Sequence, residues 1–334
     1  MENFLSAVPH HSPSDVEFAA DLPDFELRSL SVPVSGHGER LDKVLATLVP
    51  EFSRSYLQQL IGSSAVQLNR QEQVKASARV KAGDALSVAL RPTAQSQAFK
   101  PEAIALNVVY EDECLLVVSK PAGLVVHPAP GNWSGTLLNG LLARDSRAAL
   151  LPRAGIVHRL DKDTSGLMVV ARSRQAMDRL VEMIAERSVS RQYVALAHSP
   201  WRGSKTQRAE FPIGRDPRNR LRMSVVDLDR QAGKSAVTDI TLLQNGLSHC
   251  LVSCKLHTGR THQIRVHMAA LGHSLVADEL YGGQPAGGLE RQALHACRLG
   301  FTHPMTGEPL VFNSDLPEDM LGAIQQVGLS YNRA

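Results

Sequence analysis

Residues 158 to 166 read His-Arg-Leu-Asp-Lys-Asp-Thr-Ser-Gly. Arg159, Asp161, Lys162 and Asp163 crowd charge into this loop. Apolar chain lies on either side. Gly155-Ile156-Val157 reads as the end of a strand, and Leu167-Met168-Val169-Val170-Ala171 as a buried strand. Folding alone does not explain a dense charged loop between two apolar segments. Loops on rigid scaffolds are where catalytic groups tend to sit. The residue types leave a second reading open, in which Asp163, Thr164 and Ser165 cap a solvated turn.

A second polar string runs from His257 to His267 as His-Thr-Gly-Arg-Thr-His-Gln-Ile-Arg-Val-His. Histidines at 257, 262 and 267 suggest a metal. Their spacing does not align them on one helical face, so no metal is expected. Cys250 and Cys254 alternate with Leu251, Ser253 and Lys255 along a strand, which reads as buried thiols rather than ligands. The four cysteines are too few and too scattered for a disulfide framework.

The elements that must position these strings are legible in outline. Leu106–Tyr110 and Cys114–Val118 flank three acids as a hairpin would. Lys120-Pro121-Ala122-Gly123 closes the second strand, and Val125-Val126-His127-Pro128 follows. A short helix is expected to open at Gly135. Ala176 to Ser188 is an amphipathic helix with Met177, Leu180, Val181 and Ile184 in its apolar stripe. Gln192–Ala197 is the next strand. Residues 203 to 235 are rich in arginine and read as loops and a hairpin. A strand closes at Thr258-Gly259, and a helix is expected from near Arg260 to Leu271. Leu294 to Phe312 is strand-like and broken by Pro304, Gly307 and Pro309. A short helix follows from Glu318 to Val327.

A chain of 334 residues suggests two domains, and 43% hydrophobic residues suffice for a core. No apolar run approaches the ~18 residues of a membrane span. Residues Met1 to Leu22 have neither the basic start nor the apolar core of a secretory signal, and the cytoplasm is the expected compartment. The net charge of +3 does not by itself point to nucleic acid; charge would have to be clustered.

The N-terminal part divides further. Residues 1–24 read as a flexible tail, 25–91 as a small domain, 92–100 as a polar linker, and 101–334 as the main domain. In the small domain Arg40 to Ala46 is amphipathic, and Ser53 is placed to cap a second helix striped by Tyr56, Leu57, Leu60 and Ile61. Val66–Asn69 and Ala85–Leu90 read as strands. The order RLDKVLA, SRSYLQQLI, VQLN, VKAGDALSV resembles S4-type RNA-binding domains. The resemblance implies that Arg40, Lys43, Arg54 and Gln58 meet RNA phosphates. The family usually carries glycine where this chain has Ser64 and Arg70, so the turns flanking VQLN depart from the pattern.

The main domain carries a more specific resemblance. HRLDKDTSG followed by LMVVARS, together with KPAGLVVHP, RQYVA and HQIR, resembles the pseudouridine synthases of the large-subunit ribosomal type. The likeness covers nearly the whole chain from about residue 25. It implies an α+β fold: a largely antiparallel mixed sheet with flanking helices and a cleft across it. It implies that Asp161 is the catalytic aspartate, that Arg265 pairs with it, and that Tyr193 stacks on the target base. Arg159 would displace that base from its helix, and His158, Arg260 and His262 would line the substrate. No cofactor is needed, because uridine and pseudouridine are isomers. The expected partner is large-subunit ribosomal RNA, at the intersubunit-bridge stem-loop known as helix 69, and the enzyme is expected to be a monomer. Two subgroups of the family share this domain order, and the second acts on other rRNA uridines. A glycosidase would need a positioned pair of carboxylates, and one is signalled here. A non-catalytic ribosome-assembly module would need none of the trio.

Overall fold

The computed structural model describes residues 26–90, 98–129, 131–219 and 221–332. The expected tail, Phe25 and most of the expected linker lie outside them. The chain divides near residue 96 into two compact units.

The first unit contains β1 (Glu26–Ser31), α1 (Leu41–Leu48), α2 (Arg54–Gly62), β2 (Val66–Leu68), β3 (Gln71–Glu72) and β4 (Ala85–Leu90). The strands form one sheet in the order β1-β4-β2-β3. Leu41, Val44 and Leu45 of α1 and Leu57, Leu60 and Ile61 of α2 pack with Val66, Leu86 and Val88 into its core. These are the apolar faces that the helical and strand periods dictate. Ser53 caps α2 by accepting from the Tyr56 amide at 3.2 Å. Ser64 and Arg70 both adopt positive φ, 58° and 67°, so the left-handed turns survive without glycine.

The second unit is built on a nine-stranded sheet. In chain order its elements are β5 (Val108–Glu111), β6 (Leu115–Lys120), α3 (Leu137–Arg144), β7 (Ser165–Ala171), α4 (Arg174–Ala185), β8 (Ser190–His198) and β9 (Thr206–Ala209). Short strands β10 (Ile213–Arg215), β11 (Met223–Val225) and β12 (Gly233–Lys234) form a separate small sheet. Then come β13 (Thr238–Asn245), β14 (His249–Leu256), α5 (Gln263–Ala270), β15 (Leu294–Thr302), β16 (Pro309–Asn313) and α6 (Glu318–Gln326). The large sheet runs β5-β6-β7-β15-β8-β14-β13-β9, with β16 beside β15. Every pairing is antiparallel except β7 with β15. Cores lie on both of its faces, so β7 and most of β8 are buried on both sides.

The parallel contact of β7 with β15 is where the charged loop leaves the sheet. Gly166 sits there at φ 114°, and a Cβ on it would lie 2.3 Å from the Ala296 carbonyl oxygen. Only glycine lets the two backbones approach this closely.

Three local expectations are corrected. Gly155-Ile156-Val157 is not a strand end. Pro152–Gly155 is a tight turn with Arg153 and Ala154 at positive φ, and only Ile156 bridges to Val170. α5 starts at Gln263, because His262 adopts φ 57° and ψ 20°, which a right-handed helix cannot include. Val181 is 47% exposed, so the buried stripe of α4 rests on Ala176 and Leu180, with Met177 and Ile184 partly covered.

Candidate active site

The loop from His158 to Gly166 is pinned by its backbone. The Lys120 ammonium is 2% exposed and donates to three carbonyls: Pro121 at 2.8 Å, Leu124 at 2.9 Å and Lys162 at 2.8 Å. The Gly123 amide also donates to the Lys162 carbonyl. Arg291 donates to the carbonyl of Asp163 at 3.1 Å, and Gln292 to the Thr164 hydroxyl at 3.2 Å. The loop is therefore tied down over residues 162–164, directly after Asp161.

Asp161 meets Arg265 at 3.1 Å, between Oδ2 and Nη1. Arg265 is buried on α5 and uses its other edge on Asp278, with Nε and Nη2 each 2.8 Å from a carboxylate oxygen. The two carboxylates drive the guanidinium pKa upward against its burial, so it is charged throughout the working range. α5 lacks a side-chain cap at His262. Gln263 ties down its start instead: its carbonyl accepts from Thr258 and the Arg260 amide, and its amide donates to Val237 and Thr238. That network fixes where Arg265 points.

His262 stands on the other side of Asp161, its Nε2 4.0 Å from Oδ1. Its Nδ1 is 2.8 Å from the Tyr281 hydroxyl, which accepts from the Met223 amide at 3.0 Å. When Tyr281 donates to Nδ1, the neutral ring carries its proton on Nε2, toward Asp161; which atom donates follows the tautomer. Burial lowers the His262 pKa, although Asp161 opposes it. The Tyr281 ring also receives Arg265 and Arg222 at 5.0 and 5.3 Å from its centroid.

These groups line a cleft of about 430 Å³ with Tyr193, His158, Arg159 and Arg260. Tyr193 is 5% exposed, and burial pushes its phenol pKa up to about 12. His158 accepts the Val169 amide at 3.0 Å through Nε2, and burial lowers its pKa to about 3. Its imidazole is thus a neutral brace for β7 at the cleft wall. Arg159 is exposed, and Arg260 binds the Ser235 carbonyl at 3.0 Å.

Arg40, Lys43 and Arg54 belong to the first unit and meet carboxylates there. Arg40, Arg54 and Gln58 all donate to Asp42, which is fully buried, and Lys43 pairs with Glu39 at 2.9 Å. Arg40 and Arg54 remain about half exposed.

Asp278 and Tyr281 did not stand out as site residues in the sequence, and Lys120 did so only as the first residue of KPAGLVVHP. For the first two the only signal was Asp-Glu-Leu-Tyr-Gly-Gly at 278 to 283, an acid and an aromatic before a glycine pair. Among the described residues no group of three or more His, Cys, Asp or Glu side chains is placed to hold a metal. Cys250 and Cys254 are fully buried in the core. No helix among those residues is long and apolar enough to cross a membrane.

A carboxylate, a fixed guanidinium and a protected aromatic in a cleft can act on a sugar carbon while holding a planar base. Comparison with known proteins points the same way. The profile of the RNA pseudouridylate synthase family matches residues 114–270. A ribosomal large subunit pseudouridine synthase D of Neisseria meningitidis serogroup B is 47% identical over 319 residues, covering 92% of this chain and 83% of the relative. One from Xanthomonas campestris pv. campestris is 47% identical over 310 residues, with 89% and 91% covered. The solved structure of human RNA pseudouridylate synthase domain containing 1 superposes with TM-score 0.51 at 28% identity, covering 65% of this chain and 85% of that one. On this likeness the chain belongs to the RNA pseudouridylate synthase family.

Proposed function

We propose that the enzyme converts uridines of large-subunit ribosomal RNA to pseudouridine, with Asp161 as the catalytic carboxylate. The observation that carries the reading is the Asp161–Arg265 contact at 3.1 Å inside the cleft of a pseudouridine synthase fold. A carboxylate in such a pocket would otherwise tend to hold its proton, and the guanidinium favours the ionised form. Ionised Asp161 can attack C1′ of the ribose or remove the proton from C2′. Either route breaks the bond from C1′ to N1 and frees the uracil to turn. C5 then bonds to C1′ as the Asp161–C1′ ester breaks, or as C2′ takes its proton back from Asp161; C5 loses its proton, and N1 gains one. Atoms and charge balance with no cofactor.

Tyr193 suits stacking on the base. With its phenol pKa near 12 it is neutral at physiological pH, so a base role at C5 would require its proton to move to a stronger acceptor first. Arg159, exposed at the cleft, is the side chain suited to fill the vacancy left by a flipped base. His262 offers Nε2–H beside Asp161, and Arg260 lines the approach. The first unit, read as an S4-type domain, would hold rRNA phosphates through Arg40, Lys43 and Arg54.

The finer reading is the intersubunit-bridge stem-loop, helix 69. The likeness to relatives named ribosomal large subunit pseudouridine synthase D supports it. The test is to map pseudouridine in rRNA from a strain lacking this gene, then restore it with wild type or with Asp161→Asn. Uridines that stay unmodified without the gene and regain modification only with wild type support the reading. An unchanged map sinks it, and changes only outside helix 69 move the assignment to the C type.

A further inference from the structure

Arg191 is an anomaly in the cleft wall. It is the second residue of β8 and is 6% exposed. No hydrogen bond or ion pair joins its guanidinium to any described residue, and its Nε is buried without a partner. An unpaired buried charge is costly, by several kcal/mol in general. The other buried arginine of the cleft, Arg265, has two carboxylates. Arg191 has none, and Asp161 is the sole acidic residue among those lining the cleft.

Arg191 lines the cleft, and the residue beside its guanidinium is a glycine. Gly259 lies against it: a Cβ there would sit 2.9 Å from Arg191 Nη1 and touch nothing else nearby. Two positions along β8, on the same face, is Tyr193. Residues i and i+2 of a strand are ~7 Å apart, about the reach from a nucleobase to its own phosphate. Arg153, Arg187 and Arg260 also line the cleft, so an anion entering it meets positive charge.

We propose that Arg191 is a binding residue for a phosphate of the flipped uridine or its immediate neighbour, the ligand for which its charge is left unpaired. A phosphodiester offers two oxygens to a planar guanidinium and would complete the pairing the protein omits. The ligand assignment rests on the proposed function, in which Tyr193 meets the target base. Binding there would hold the sugar between the phosphate at Arg191 and the carboxylate of Asp161.

The experiment pairs protein and RNA changes. Short RNA stem-loops carrying the target uridine are made with one neutral methylphosphonate at a time, on the phosphates flanking the target and on distant ones. Wild type, Arg191→Lys, Arg191→Met and Gly259→Ala are compared for equilibrium binding and single-turnover isomerisation. Wild type should lose at least tenfold at one flanking position. Arg191→Met should lose as much on the unmodified RNA and little more with that methylphosphonate. Arg191→Lys should keep part of the effect. Gly259→Ala should resemble Arg191→Met, because it displaces the guanidinium without removing its charge. Losses that multiply at every position overturn the proposal. So does a pure rate loss in Arg191→Met that no methylphosphonate relieves, which would place the guanidinium on the base. The wild-type arm needs no variant to fold, and the binding arm needs no turnover. Pseudouridine formed by wild type on unmodified RNA tests the proposed function separately.

Discussion

Asp278 grips Arg265 by two parallel hydrogen bonds of 2.8 Å, which leaves one nitrogen of the guanidinium 3.1 Å from Asp161. Arg265 is therefore shared, and the better geometry belongs to Asp278 rather than to Asp161. Asp278 is a positioning residue by this arrangement.

Asp278→Asn is expected to lower the single-turnover rate about 10- to 100-fold, ~1.4 to 2.7 kcal/mol of barrier, with RNA binding little changed. The pH–rate profile separates its role from Arg265's. Removing the Asp278 charge leaves Arg265 more available to ionised Asp161, so the acidic limb should move to lower pH. Arg265→Met removes the favourable charge, so its limb should move to higher pH, and Arg265→Lys should lie between it and wild type. Limbs that do not move in either variant would mean that the pair only holds the fold.

Lys120 tests the other support of Asp161. Its ammonium gathers three carbonyls, one of them in the loop at Lys162. Lys120→Met leaves those carbonyls without their donor, and a loss of roughly 2 kcal/mol in stability is expected, with a slower chemical step. Burial lowers the lysine pKa to about 8 from 10.5, although Asp163 and Asp161 oppose it. The unfolded chain then binds more protons than the native one between those values, so this site's contribution to stability rises with pH there. Unfolding titrations of wild type and Lys120→Met should therefore separate further from pH 8 to 10. A constant gap would mean that the amine does not titrate in the folded state.

The strings that carry the site were readable because local chemistry concentrates in them. A charged loop between apolar strands stands out, a continuous apolar run located β7, and alternation located β14. What was not readable depends on partners distant in sequence. Asp278 and Tyr281 lie in a loop and a short turn of no marked period, and their meaning comes from Arg265 and His262 across space. The left-handed His262 hid the start of α5 because its helical pattern begins before the helix does. Arg265 was legible only through the family resemblance, because a charged residue's burial shows in no local pattern. Val181 looked like core because its period fits, yet the sheet under α4 covers only part of the stripe.

The first unit has its own buried ion cluster. Asp42 accepts from Arg40, Gln58 and Arg54, which hold its carboxyl well below the usual range, with Arg40 the largest influence and burial opposing. A depressed folded pKa gives stability that is present above the unfolded value near ~4 and lost as pH falls below it. Asp42→Asn should destabilise this unit by about 2 kcal/mol at neutral pH, and the difference from wild type should shrink below pH ~4. Unfolding curves at pH 7 and at pH 3 check both parts. An equal penalty at the two values would mean that the carboxylate charge is not what holds the cluster.

The same cluster limits how strongly this unit can bind RNA through the expected residues. Arg40, Lys43 and Arg54 carry three positive charges, and Asp42 and Glu39 offset two of them. Each phosphate neutralised contributes roughly 0.7 to 0.9 to the slope of log affinity against log salt. If RNA displaces neither carboxylate, these residues supply about one unit of slope; if it displaces both, about three. Removing residues 1–96 should therefore weaken rRNA binding and flatten the slope by between one and three units, with isomerisation retained at saturating RNA. Arg40→Gln with Arg54→Gln in the full chain should reproduce part of the flattening. Unchanged affinity and slope after the truncation would show that the unit is not the RNA anchor. A change larger than three units would assign further contacts to the exposed Arg70, Lys75, Arg79 and Lys81 of the same unit.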